Sequence, residues 1–405
     1  MLGADFVTRY QWEFAPTSGA YEIRKEDIKK GRSISLIRIS HWWAQDNRFW
    51  RNRFNIDKIT FQVVRSTAKL IESFRRGDID ICGLNKSANW YERVPDDAPV
   101  VQNGYIQKVV FYNDVPRNPV GIWLNTQKPL LNDQRIREGI SHALNWDRVI
   151  EQFFRGDYRR LHTTADGYGK MSHPTLRPHA FSIEKALDKF AAAGFTVRGY
   201  DGILTNHRGQ RLSFTVTAGF YMFGDLLSIL KQEAVKAGLE IRIEILDFTA
   251  CWKKVQEKHH ELALTTFFEN DSPHPRYEDI FHSQYAHKTQ NNNITNLASP
   301  QIDRLIEHYQ MAEDMPTMTH LAHRIEEAIH AEAVFVPGYM QPYYRYGFWR
   351  WVRFPKNFNV RRSKYPVEHF IHWINPTMKA ETLRAEAEGS TFPPQILVFD
   401  QYKTD

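Results

Sequence analysis

Apolar positions along the chain follow two periods: short runs that alternate every second residue, and longer stretches that recur every third or fourth. Ser33 to Ile39 is short and rich in Ile and Leu, which predicts a buried strand. Thr67 to Arg76 puts Leu70, Ile71 and Phe74 on one helical face, with Gly77 placed to turn the chain out of the helix. Ile79 and Ile81 then alternate with Asp78 and Asp80, predicting a half-buried strand. Further on, Phe214 to Thr217 reads as a strand, and Leu226, Leu227, Leu230 and Ala234 form a helical stripe that ends before Gly238. Ile241, Ile243 and Ile245 alternate with charged partners, Trp252 and Val255 mark a short helix, and Leu262 to Phe267 reads as another strand. This β-α-β-α-β run predicts an α/β layer with right-handed crossovers. Helical faces also surround it: Ile136, Ile140, Ala143 and Leu144; Ile183, Ala186, Leu187 and Phe190, closed by Gly194; and Leu321, Ile325 and Ile329. Ser299-Pro300 opens a further helix as N-cap and first helical residue, ahead of Ile302, Leu305, Ile306 and Tyr309.

Asn113 through Pro119 is a turn-rich joint, and Gly338 to Tyr346 reads as a return crossing. Residues 121–344 are therefore expected to form one lobe, and 1–120 with 345–405 the other. Two lobes joined by paired crossings would hold a cleft between them, where ligands usually bind. The length of 405 residues suits two or three domains, and no repeat or low-complexity stretch suggests a solenoid. The 53 Lys and Arg exceed the 47 Asp and Glu by six, but they are scattered, which reads as a solvated surface and not a nucleic-acid track. No apolar run reaches the ~18–20 residues of a membrane span. The opening Met1-Leu2-Gly3-Ala4-Asp5 has no secretion-signal character. Cys82 and Cys251 are too few for a disulfide framework and are expected to be buried thiols.

Motifs for catalysis are missing from the sequence: there is no Gly-x-Ser-x-Gly elbow, P-loop or His-Glu-x-x-His helix. His320 with His323, and His369 with His372, each offer two imidazoles but no third ligand at a matching distance. His259-His260-Glu261 reads the same way, and Asp78 with Asp80 is explained as the solvent face of a strand. No metal, cofactor or enzymatic activity is expected. The densest chemistry is aromatic: Tyr339, Tyr343, Tyr344, Tyr346, Phe348, Trp349 and Trp351, interleaved with Arg345, Arg350 and Arg353. Most of these rings suit core and domain packing, with one or two left to face a ligand.

A series of segments carries a family resemblance. Thr17-Ser18-Gly19-Ala20-Tyr21-Glu22-Ile23 comes first, followed by Ile34 to Trp43 and Asn55-Ile56-Asp57-Lys58-Ile59. Thr67-Ala68 through Ile81, Leu124 to Pro129 with Asp133-x-Arg135-Ile136-Arg137, and Ala322 to Pro337 with Trp349 continue in order. The chain resembles the family 5 extracellular solute-binding proteins, the peptide- and nickel-type receptors of ABC importers. Asn85-Lys86-Ser87-Ala88-Asn89-Trp90 is most similar to the oligopeptide and microcin C branch. The resemblance implies an α/β, two-lobed periplasmic-binding-protein-like fold of class II type, its lobes joined by hinge crossings. It also implies a peptide or peptide-like ligand, an ABC-importer permease as partner, a monomeric state and a periplasmic location.

In peptide-binding members an Asp of the second lobe pairs with the ligand's α-ammonium, in an aromatic-x-x-Asp-x-x-x-Pro context. Phe268-Glu269-Asn270-Asp271-Ser272-Pro273-His274-Pro275 has that spacing, with Phe268 where the family usually has Trp. The resemblance therefore nominates Asp271, with Phe268 and Asn270 beside it; charge-assisted bonds of this kind are worth about 1.5–3 kcal/mol. Asp271 equally reads as a turn residue bonding its own backbone in an Asn-Asp-Ser-Pro run. Arg345 is nominated for the ligand's carboxyl end, and Tyr343 is counted among the ligand-binding residues. Family members carry a long segment before the Gly-x-Tyr motif, so the chain is expected to be a truncated or split product with an unprotected edge in its first lobe. Two further readings stand beside the receptor: a cytoplasmic solute sensor or interaction module, and an inactive remnant of the same fold.

Overall fold

The computed structural model describes residues 17–403 except 114, 117, 268–271, 273, 357, 360 and 362–369, together with residues 5, 8 and 10. Its contacts divide the chain into two units, Asp114–Pro342 and the flanking Met1–Asn113 with Tyr343–Asp405.

The inner unit is built on the β-α-β-α-β run. Strand Ser213–Ala218 buries Phe214 and Val216 and pairs in parallel with Glu240–Ile245 on one side and Leu262–Thr265 on the other. Helix Phe223–Lys236 makes the first crossover and buries Leu226, Leu227, Leu230 and Ala234, the four residues of its apolar stripe. Gly238 ends this crossover with φ +75°, and a Cβ there would sit 2.4 Å from the Leu204 side chain, so the turn needs glycine for both reasons. Helix Phe248–Gln256 makes the second crossover, capped by Asp247, whose carboxylate accepts the Ala250 N–H at 3.0 Å. Two antiparallel strands, Gly121–Leu124 and Phe335–Pro337, complete a five-stranded mixed sheet. Every residue of both is buried, including Trp123, whose ring lies 4.3 Å from that of Phe335. Helix Gln134–Ala143 packs on helix Ile183–Ala192 because Gly139 leaves room for the Phe190 ring. Ser299 stands at the N-cap of helix Pro300–Met311 as expected, but its side chain makes no capping bond, so Pro300 and the apolar stripe define that start.

The outer unit collects its main sheet from four distant segments: Ile396–Phe399, Ile106–Phe111, Tyr344–Trp349 and Ile81–Gly83, in that order. Trp349 and Trp351 are fully buried and stack at 4.6 Å. Their indole N–H groups donate to the Phe74 carbonyl and to the Asp80 carboxylate, each at 2.6 Å. That bond corrects the reading of Asp80 as the solvent face of a strand: the strand begins only at Ile81, and Asp80 precedes it to hold Trp351. A second sheet pairs Ser33–Arg38 with Tyr21–Glu22, Ile28–Lys29 and Lys58–Gln62. Ser33–Arg38 was expected to be buried, yet within this span only Ser35 is. Its Ile and Leu residues mark the strand but not its depth, because its partner Lys58–Gln62 is itself largely exposed. Cys82 and Cys251 are both buried free thiols, each pushed up to about 11 by desolvation.

Candidate functional site

The inner unit opens a cavity of about 510 Å³ at the carboxyl ends of its parallel strands. The chain leaves Ser213–Ala218 through Gly219 and Phe220, leaves Leu262–Thr265 through Thr266 and Phe267, and all four residues line it. Ser213–Ala218 sends its connection to Glu240–Ile245, whereas Leu262–Thr265 lies on its other side. Such a reversal leaves a crevice at the strand ends, the usual ligand position in open α/β sheets. Phe220 and Phe248 are 47% and 48% exposed, with rings 5.4 Å apart, an apolar pair that water does not favour. Phe223, Trp252 and Tyr339 add further rings, and Trp252 lies 6.1 Å from Phe267. Among the described lining residues the one guanidinium, Arg276, is ion-paired with Asp279, which also accepts from the Asn292 amide at 2.8 Å. Aromatic walls with a neutralised charge suit a large apolar or aromatic group.

The outer unit holds a different arrangement around Arg345. This residue is 6% exposed, and its guanidinium lies 4.2, 4.9 and 5.0 Å from the rings of Tyr343, Trp90 and Tyr91. It donates to the Tyr91 hydroxyl at 2.9 Å, while its backbone N–H donates to the Asn85 side chain at 2.7 Å. Lys108 is fully buried nearby, donating to the Trp90 and Val94 carbonyls at 2.9 and 2.8 Å and pairing with Asp96 at 2.5 Å. Burial lowers the Lys108 pKa, and Asp96 opposes that shift. Two cations held among rings make this the most cationic buried position described in the outer unit.

Comparison with known proteins identifies the chain. Residues 5–288 match the bacterial extracellular solute-binding proteins, family 5. The chain belongs to that family. A binding protein of Brucella melitensis is 21% identical over 383 residues, covering 86% of this chain and 61% of its own length. The chain thus spans about three-fifths of that relative. Among solved structures, the oligopeptide-binding protein AppA of Bacillus subtilis, in complex with a nonapeptide, gives a TM-score of 0.71 at 17% identity, covering 88% of this chain and 66% of AppA. A periplasmic oligopeptide-binding protein of Thermotoga maritima with bound mannohexaose also gives 0.71, at 15% identity, covering 90% of this chain and 68% of that one. At these identities the likeness shows the fold, the two-lobed α/β architecture of periplasmic binding proteins.

For this family 5 chain, the nominated residues divide between the units. Tyr343 and Arg345 come together in the outer unit, whereas Phe268, Asn270 and Asp271 lie outside the described residues, directly after the cavity-lining Phe267. Hydrophobic periodicity nominated neither Phe220 nor Phe248; the carboxyl-end position of their loops is the signal that finds them. Of the His pairs, His323 bonds the Lys170 carbonyl at 2.9 Å, His372 is buried, and His369 lies outside the described residues. Among the described residues no three His, Cys, Asp or Glu side chains gather as metal ligands, and no helix is long and apolar enough to cross a membrane.

Proposed function

We propose that the chain captures peptides as the receptor of an ABC importer. The observation that carries this is the aromatic cavity at the carboxyl ends of strands Ser213–Ala218 and Leu262–Thr265, in a chain of the family 5 solute-binding proteins. AppA, of the same fold, binds a nonapeptide, which supports a peptide ligand here. Asp271 takes the peptide's α-ammonium, with Phe268 and Asn270 shaping its surroundings. An apolar side chain of the peptide enters among Phe220, Phe248 and Trp252. Arg345 and Tyr343 receive the carboxyl end. The receptor works as a monomer in the periplasm and hands its ligand to a permease, with no turnover of its own.

The ammonium role is tested by calorimetric titration with a short peptide and its N-acetylated form. Asp271→Asn and acetylation are each expected to weaken binding about tenfold or more, as loss of a charged hydrogen bond does. Binding unaffected by either change contradicts the assignment.

A further inference from the structure

The inner unit contains a second, smaller cavity of about 200 Å³, lined by Trp146, Asp147, Arg160, His162, Arg177 and His179 among others. That is below the ~300–1,000 Å³ of sites for drug-sized ligands, so it suits a small group. Its donors are short of acceptors. Among the described residues the Arg160 guanidinium makes no hydrogen bond or ion pair; its neighbours are the Trp146 ring, 5.9 Å away, and the Asp147 carboxylate beyond ion-pair range. The Trp146 indole Nε1 and His179 Nε2 are buried with no hydrogen-bond partner among the described residues. The Arg177 and Arg160 guanidiniums both disfavour the charged form of His162, opposed there by the Asp166 carboxylate, which accepts the His162 N–H at 2.7 Å; among the described lining residues the one acid is Asp147, which is exposed.

A half-buried cation without a counter-ion is costly, and the buried Trp146 indole N–H without an acceptor adds to that cost. Burial accordingly pushes Arg160 down to about 9 and His179 to about 4, leaving His179 neutral at neutral pH. An oxyanion in the cavity relieves both deficits, because its oxygens accept hydrogen bonds and carry the missing charge. We propose that this cavity is an anion site that takes a phosphate or carboxylate group beside Arg160, Arg177 and Trp146. The site is separate from the larger cavity and does not depend on the peptide reading. The Trp146 ring meets Tyr339, which lines the larger cavity, at 6.1 Å, so the two sites are neighbours in one unit.

The test is calorimetric titration of the full chain with inorganic phosphate and, separately, with acetate, both without peptide. Saturable binding of phosphate alone assigns the site to phosphate groups, and saturable binding of acetate assigns it to carboxylates. Whichever anion binds is expected to lose about tenfold or more in affinity in Arg160→Gln. Should Arg160→Gln not fold, Arg177→Gln, at an exposed position, is expected to weaken the same anion severalfold. No binding of either anion, or binding unchanged by the substitution tested, overturns the proposal.

Discussion

The two units reach similar sheets by opposite routes. In the inner unit three consecutive strands, Ser213–Ala218, Glu240–Ile245 and Leu262–Thr265, pair in parallel through two helical crossovers within some fifty residues of chain. In the outer unit, Ile106–Phe111 pairs with Tyr344–Trp349 and with Ile396–Phe399, segments more than two hundred residues away in sequence. Local crossovers leave their connecting loops together at one edge, and that is where the inner unit places its cavity. The long-range sheet instead depends on large buried rings to fix its strands, and Trp349 and Trp351 fill that role.

The largest expected effect breaks the long-range sheet. Trp349→Ala removes a fully buried indole and its 2.6 Å bond to the Phe74 carbonyl, and should cost about 3–5 kcal/mol. Urea denaturation followed by hydrogen exchange should show protection lost first in Ile106–Phe111 and retained in Ser213–Ala218; equal loss in both would mean that the units unfold as one.

Next comes a buried acid of the inner unit. Glu326 accepts from the Thr164 N–H at 3.0 Å and from the Thr164 hydroxyl, and burial raises its carboxyl from 4.5 to about 7. The folded state therefore holds a proton that the unfolded chain releases near pH 4.5, so this contribution is present at low pH and is lost as pH rises to about 7. Its size is roughly 3 kcal/mol. The buried neutral imidazoles of His179 and His260 act in the opposite sense, but they are common to wild type and variant. The stability difference between Glu326→Gln and wild type should thus grow in the variant's favour between about pH 4.5 and pH 7, read from urea midpoints. A constant difference would contradict the account.

Smaller effects separate binding from folding. Phe248→Ala removes a half-exposed ring at the cavity mouth and should cost under about 1 kcal/mol of stability while weakening a peptide with a large apolar side chain about tenfold. Parallel thermal melts and titrations check this, and a stability loss without an affinity loss would make the ring structural. The smallest change is Val398→Lys on the outer strand Ile396–Phe399, where Val398 is 58% exposed. Stability should move within about 0.5 kcal/mol, read from urea midpoints, because the residue sits on an exposed edge; a loss above about 2 kcal/mol would mean that Val398 is packed.

Legibility in the sequence follows the same division. The stripe of Leu226, Leu227, Leu230 and Ala234 and the alternation of Ile241, Ile243 and Ile245 are local patterns, and their elements stand where periodicity placed them. Gly121–Leu124 is buried on both faces, so it carries no alternation to read. Ile396–Phe399 earns its place only by pairing with Ile106–Phe111, a contact no local window contains. Arg345 and Tyr343 are legible as a pair because they are near neighbours in a ring-rich segment. Trp90, Tyr91 and Lys108 join them only through folding. The small basic cavity left no motif, since Trp146, Arg160 and His179 come from three separate stretches.

Calorimetric titration of the full chain with unblocked peptides of about three to nine residues tests the central claim most directly. The account predicts saturable one-to-one binding at micromolar Kd or tighter, about −8 kcal/mol, strongest for peptides with a large apolar side chain. A chain that is folded by circular dichroism yet binds none of these peptides would contradict it.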